Sequence, residues 1–334
     1  MHDTLASEVR KAYSQDKLAQ ICLLPEAKFG RAFGMETVRT RHHSWRSRWR
    51  DDGPADYYHF RDNGSRVLAV AHLDTVVRKD GRTPHFSDTR KGPLIRSGAL
   101  DDRLGAYVIL QLLPAMGITC DWLLTTGEES CASTAGDFTA RKDYDWLIEF
   151  DRMATDVVMY QYECAAGQDA IEAAGAQMGH GSFSDVAALD HLGVLGFNWG
   201  VGYRGNYHSE AGYAYLEDTF AMVAKYLTFH EQNAGLTMPH EPWLQEDRCG
   251  FCGHTGTIVS GYCTYCGVCE DCGGTDPEVA AEWGDEDVDV CQCYVSRREA
   301  EALRQRTYTE STITWEQYMA SRPAVVTASG EGLR

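Results

Sequence analysis

The chain has 334 residues, with 31 lysines and arginines against 49 aspartates and glutamates and a formal net charge of -18. Phosphate contacts need the opposite sign, so so acidic a chain argues against nucleic acid as its main partner. No run approaches the length of a membrane span, and the length allows one large domain with an appendage, or two domains.

Met1 to Ala19 is charged throughout and lacks the apolar core of a secretion signal, so a cytoplasmic protein with reduced cysteines is expected. Thr4 to Cys22 reads as one amphipathic helix. Arg39 to Arg50 is a run rich in arginine and tryptophan, a composition that can meet phosphate but that an acidic chain more often exposes as a solvated strand or loop. Val67 to Ala71 has the pattern of a short buried strand, and alternation puts His72 and Asp74 on one face where it ends. That placement suits a metal-binding imidazole beside a carboxylate that orients it.

Asp101-Asp102 opens a predicted helix from Arg103 to Leu113, apolar enough to be buried and stopped by Pro114. A helix start favours a carboxylate, so Asp102 reads equally as a cap. A second apolar strand, Trp122 to Thr126, runs through Gly127 into Glu128-Glu129, and a third, Trp146 to Phe150, delivers Asp151. A further strand, Gly193 to Trp199, leads to Gly200, Gly202 and Gly205, which make the next segment permissive enough to approach a ligand. In that segment Tyr203, Arg204 and Tyr207 are candidates for holding an oxyanion or a substrate carboxylate, with ordinary loop residues as the competing reading; His208 closes it. His42, His43, His59, His180 and His191 have no partner at a telling spacing and read as surface or core imidazoles. Leu216 to Asn233 reads as a helix packed on the sheet and Met238 to Pro242 as a linker.

Strands alternating with helices predict an α/β fold with a mixed, mostly parallel sheet, helices on both faces, and ligands gathered at the carboxyl ends of the strands. The segments Ala71-His-Leu-Asp-Thr-Val76, Gly98-Ala-Leu-Asp-Asp-Arg-Leu-Gly105, Thr126-Gly-Glu-Glu-Ser130, Glu149-Phe-Asp-Arg152 and Tyr207-His-Ser-Glu-Ala-Gly212 together resemble the co-catalytic zinc exopeptidases, the clan of aminopeptidases and carboxypeptidases with a phosphorylase-like sheet. The resemblance implies that His72 and Asp151 hold one zinc, that Glu129 and His208 hold another, and that Asp101 bridges both. It makes Glu128 the general base and Asp74 the partner that orients His72. Larger members carry an inserted domain, but the gaps Asp74 to Asp101 and Asp151 to His208 are too short for one. The core therefore resembles the compact, single-domain aminopeptidase branch. The wording Ala-Leu-Asp-Asp-Arg is shared with the large tetrahedral aminopeptidases, and Val186 stands where many compact members have histidine after Gly181-Ser-Phe-Ser-Asp185.

Eight of the 12 cysteines fall in one stretch, as Cys249/Cys252, Cys263/Cys266, Cys269/Cys272 and Cys291/Cys293. The first two pairs have zinc-ribbon spacing, and the others could hold a second structural zinc, with disulfides as the alternative. The acids around them favour a protein contact or a stabilising role over nucleic acid. The expected division is a catalytic domain at 1–240, a cysteine-rich zinc region at 241–300, and a helical segment with a loosely ordered tail at 301–334. The expected activity is dinuclear zinc hydrolysis of a peptide or small amide, aminopeptidase ahead of carboxypeptidase. The alternatives are an amidase or deacylase acting on a non-peptide amide, or a silent binding scaffold.

Overall fold

The computed structural model describes residues 2–40, 57–77, 79–130, 132–181 and 183–241, with two short strands, Ile258–Val259 and Tyr262–Cys263. These fall in two units, the first holding everything up to residue 241 and the second the two short strands, which pair antiparallel. Residues 41–50 of the basic run, the 301–334 segment, and Cys249, Cys252, Cys266, Cys269, Cys272, Cys291 and Cys293 lie outside the described residues. Cys263 is described as a strand residue alone.

In chain order the first unit's strands are β1 (Glu36–Arg39), β2 (Tyr57–Arg61), β3 (Val67–His72), β4 (His85–Thr89), β5 (Gly92–Arg96), β6 (Asp121–Thr125), β7 (Trp146–Met153), β8 (Val157–Val158), β9 (Gly196–Arg204) and β10 (Tyr213–Tyr215). Its helices are α1 (His2–Ala12), α2 (Gln15–Leu23), α3 (Phe29–Phe33), α4 (Leu100–Tyr107), α5 (Leu113–Ala115), α6 (Ala165–Ala173) and α7 (Leu216–Asn233). All ten strands form one sheet in the order β1-β2-β6-β3-β7-β9-β10-β5-β4, with β8 also paired to β9. The parallel part is confined to β6-β3-β7-β9, and antiparallel strands extend it on both sides. Every residue of β3 is buried, which is why Val-Leu-Ala-Val-Ala-His reads as an unbroken apolar run rather than an alternating one.

β7 shows how the two faces differ. Trp146 and Phe150 meet Phe229 and Tyr226 of α7 edge to face, at 6.0 and 5.3 Å between ring centroids. Glu149, of opposite parity, instead meets the backbone N–H of Val186 in the 3-10 helix Asp185–Leu192. Among the described residues no helix is long and apolar enough to cross a membrane.

Three local expectations change. The first helix is two, because Ser14 breaks it and its hydroxyl caps α2 by accepting from Lys17 N–H. The helix after Asp102 does not stop at Pro114: a widened π turn, Val108–Leu112, leads into α5, which contains the proline. Met238 to His240 is no free linker, since its backbone exchanges hydrogen bonds with Asp145, Gly193 and Leu195.

Candidate active site

Each of the four parallel strands brings ligand-type side chains to the same end of the sheet, as the crossover rule for such sheets requires. β3 ends on the fully buried His72, and β7 carries Asp151. β6 ends at Thr125, and the chain turns at Gly127 (φ 87°) into Glu128 and Glu129; a side chain at Gly127 would collide with the Ala132 carbonyl. β9 ends at Arg204, and the loop beyond it carries His208. Asp101 comes from the start of α4, where Asp101 and Asp102 have non-helical dihedrals and are joined by a cis peptide.

The distances define the constellation. Asp101 Oδ1 lies 2.9 Å from His72 Nε2, and Asp101 Oδ2 lies 2.9 Å from His208 Nε2. Asp151 Oδ2 is 3.5 Å and Glu128 Oε2 3.9 Å from His72 Nε2. Glu129 Oε2 is 3.8 Å from His208 Nε2, and Glu129 also forms a group with His72 and Asp101 in which the donor atoms all lie within 4.8 Å of one another. Asp74 closes the ring: its backbone carbonyl faces His72 Nδ1 at 3.0 Å, its carboxylate is 3.7 Å from the same nitrogen, and its Oδ2 accepts from Glu129 N–H. The nearer orienting contact to His72 is thus the Asp74 carbonyl rather than its carboxylate.

That carbonyl decides the state of the imidazole. It can only accept, so Nδ1 carries the proton and Nε2 of a neutral His72 presents a lone pair to two carboxylates. Lone pairs facing one another at these distances call for a cation between them, either a proton or a metal ion. Burial opposes charging His72, but Asp151, Asp101 and Asp74 override it and hold the imidazole well above its usual value. Burial, reinforced by Asp101 and Asp102, drives Asp151 well up, and burial raises Glu129. Burial also pushes Glu128 up to about 8. Asp101 runs the other way, since His208 and His72 outweigh its burial. Asp151 Oδ1 and Asp74 Oδ1 are buried without a hydrogen-bond partner, as are Asp102 Oδ2 and Glu149 Oε1, so it is the imidazole nitrogens facing Asp101 and Asp151 that mark these two as ligand-type acids. Imidazole nitrogen and carboxylate oxygen are donors that zinc accepts, and an Nδ1–H held by a carbonyl is the usual arrangement behind a metal-ligating histidine.

No family profile matches the chain, and no curated protein matches it. Solved structures do resemble it. A tripeptidase from Staphylococcus aureus subsp. aureus Mu50 aligns with 67% of this chain and 97% of its own, at a TM-score of 0.47 and 10% identity. Aminopeptidase PepT from Bacillus cereus ATCC 10987 aligns over 67% and 98%, at 0.44 and 11%. A glutaminyl cyclase from Porphyromonas gingivalis aligns over 70% and 99%, at 0.41 and 12%.

The constellation opens on a cleft of about 500 Å³ lined by Asp101, Glu128, Glu129, Asp151, Tyr207 and His208 among others. Tyr207 stacks on Tyr203 and tilts against His208, so its phenol stands in the cleft wall. Tyr203 and Arg204 require correction as substrate candidates. The Tyr203 side chain is buried and its hydroxyl donates to Asp102 Oδ1 at 2.9 Å, while Arg204 turns outward to Asp218 at 2.7 Å. Gly200 and Gly202 likewise serve another purpose than reaching a ligand. Their N–H groups donate to the carbonyls of Asp156 and Ala154, and a side chain at Gly200 would strike the Ala154 carbonyl.

Sequence reasoning missed Arg152 and Tyr160, which line the cleft together with Gly181 and Phe183 of the Gly181–Asp185 segment. It also missed the buried acids beneath it. Glu149 accepts from Ser184 Oγ at 2.6 Å, and Asp185 accepts from the hydroxyls of Thr125 and Ser133. Glutamate inside the apolar run of β7 was the one available signal for that layer.

Proposed function

We propose that the chain is a dinuclear zinc hydrolase of peptide or amide bonds, a compact exopeptidase of the co-catalytic clan that its motifs resemble. The observation that carries this reading is Asp101, each of whose oxygens lies 2.9 Å from a different imidazole. His72, Asp101 and Asp151 would hold one zinc, and Asp101, Glu129 and His208 the other. Two donors about 2.0 to 2.1 Å from a tetrahedral zinc lie about 3.3 Å apart. The separations of 2.9, 3.5 and 3.8 Å bracket that value.

Zinc, held by these residues, would supply a Lewis acid for the scissile carbonyl and would lower the pKa of a water from about 15.7 towards about 7. Glu128 receives that water's proton and hands it to the leaving amine. Its burial, which raises its proton affinity, suits a group that must hold the proton between the two transfers. Asp74 ties the His72 loop to the Glu129 turn and so keeps both ligand sets in register. Tyr207 presents its phenol from the cleft wall to the developing oxyanion. The compact branch consists of aminopeptidases, which favours attack at a free amino terminus. The cysteine pairs at Cys249/Cys252, Cys263/Cys266, Cys269/Cys272 and Cys291/Cys293 are proposed to hold one or two structural zincs and to serve a protein contact.

Glu128→Gln in the full chain tests the reading. Hydrolysis of aminoacyl and acyl-amino-acid substrates should fall by about 10²- to 10⁴-fold while zinc content holds. Undiminished turnover would reject Glu128 as the base, and a wild-type chain that hydrolyses none of these substrates would favour a silent scaffold.

A further inference from the structure

Given the hydrolase reading, on which this rests, we infer that the enzyme takes short peptides whose free carboxylate reaches the cleft wall, and that Arg152 and Tyr160 hold that group. The acids lining the cleft are Asp101, Glu128, Glu129 and Asp151, all committed to zinc or to proton transfer. Arg152, directly after Asp151, is the permanently charged group of opposite sign in the same wall.

Its guanidinium is only half used. Nε and Nη2 donate to Asp156 Oδ1 and Oδ2 at 3.2 and 3.4 Å. A guanidinium has five N–H donors in a rigid fork, and Nη1 has no partner among the described residues. The edge made by Nη1 and the second hydrogen of Nη2 is therefore open to a carboxylate, in the paired geometry that arginine and carboxylate favour.

The anchor is itself fixed from three sides. Gly200 N–H donates to the Asp156 carbonyl at 2.8 Å and Gly202 N–H to the Ala154 carbonyl at 2.9 Å. The Asp156 carboxylate occupies the space that a side chain at Gly179 would need. Ala154 (φ 73°) and Tyr160 (φ 50°), on either side of Asp156, hold left-handed backbone that non-glycine residues adopt at a cost, a feature that concentrates at functional sites. A partly exposed i,i+4 ion pair contributes little stability on its own, so this fixing serves to orient Arg152.

Tyr160 adds a second donor, and a chain of hydrogen bonds sets its direction. Asp151 N–H donates to Asn198 Oδ1 at 2.9 Å, so the Asn198 amide must turn its NH₂ to Tyr160, which it does at 3.0 Å. The phenol oxygen is thereby the acceptor from Asn198, and its own proton is shared between Ser184 Oγ and whatever acceptor enters the cleft. The neighbouring acceptor, Ser184 Oγ, is a neutral hydroxyl already donating to Glu149, and a substrate carboxylate is the stronger partner. Gly181, without a side chain, leaves room beside the Tyr160 ring.

The test uses the zinc-loaded full chain and dipeptides and tripeptides, each as the free acid and as its C-terminal carboxamide. Wild type should prefer the acid by about 10- to 100-fold in kcat/KM, the size expected for charge-assisted hydrogen bonds. Arg152→Met should remove most of that preference, chiefly through KM, with a far smaller loss on the amides; Arg152→Lys should restore part of it, and Tyr160→Phe should show a smaller loss of the same sign. Equal turnover of acid and amide by wild type, or equal losses on both in Arg152→Met, would overturn the inference. Calorimetry with N-acetyl-leucine and its amide gives a reading independent of turnover. Tighter binding of the acid that Arg152→Met abolishes supports the carboxylate site even if the hydrolase reading fails, whereas binding that Arg152→Met leaves unchanged counts against it.

Discussion

Two sets of buried acids lie in the first unit, and they differ in what faces them. Asp102 Oδ1 accepts from Gly105 N–H at 3.0 Å and from the Tyr203 hydroxyl; Glu149 Oε2 accepts from Ser184 and from Val186 N–H at 3.0 Å; Asp185 takes two hydroxyls. Asp101 faces an imidazole nitrogen with each of its oxygens, and Glu129 and Asp151 each face one imidazole while accepting one protein bond at 3.3 Å, from Val76 N–H and from Ser184 Oγ. Burial pushes Asp102, Glu149 and Asp151 alike well upward, so burial does not separate the sets. The imidazoles do: an acid served by protein N–H and O–H groups alone is a brace, and one that also faces an imidazole nitrogen is placed as a ligand.

The sharpest way to break the brace is Gly105→Ala. The added carbon would meet the Asp102 carboxylate and the Phe150 carbonyl, and neither can retreat without shifting α4 or β7. A loss of roughly 3 kcal/mol is expected from such overpacking, together with loss of zinc from the core because Asp101 shifts with α4. A urea-denaturation midpoint within error of wild type would mean that the contact is softer than it looks. Tyr203→Phe is the gentler probe, and it tells a brace from a substrate contact. Removing one donor from Asp102 should cost about 1–2 kcal/mol of stability, while kcat and KM of the folded enzyme stay close to wild type. A large fall in kcat with an unmoved denaturation midpoint would instead return Tyr203 to the substrate.

His72, Glu128, Glu129 and Asp151 were legible because each lies at or just beyond the end of an apolar run, whereas Asp101 and His208 were placed by the motif resemblance; the parallel core of the sheet could be read from the same runs. Tyr203 was misread for a physical reason. The apolar pattern of β9 halts at Trp199, where Gly200 and Gly202 begin, yet the strand continues to Arg204 because those glycines admit the Ala154–Asp156 turn alongside it. A residue placed in a loop is thus a strand residue facing inward. Arg152 and Tyr160 could not be found from spacing, since their cleft wall forms only when the turn after β7 meets Met178 to Gly181, as the Val157–Met178 bridge and the Gly179 N–H to Val157 bond show. The antiparallel flanks escaped notice because β4 and β5 carry too few apolar residues to announce themselves.

Zinc stoichiometry of the full chain, wild type against Asp101→Ala, tests the bridging role most directly, because any zinc held by the cysteine pairs cancels in the difference. If Asp101 serves both ligand sets, the variant loses two zincs per chain at a zinc concentration that saturates wild type. Loss of one zinc would make Asp101 an ordinary ligand of a single ion, and loss of none would contradict the account.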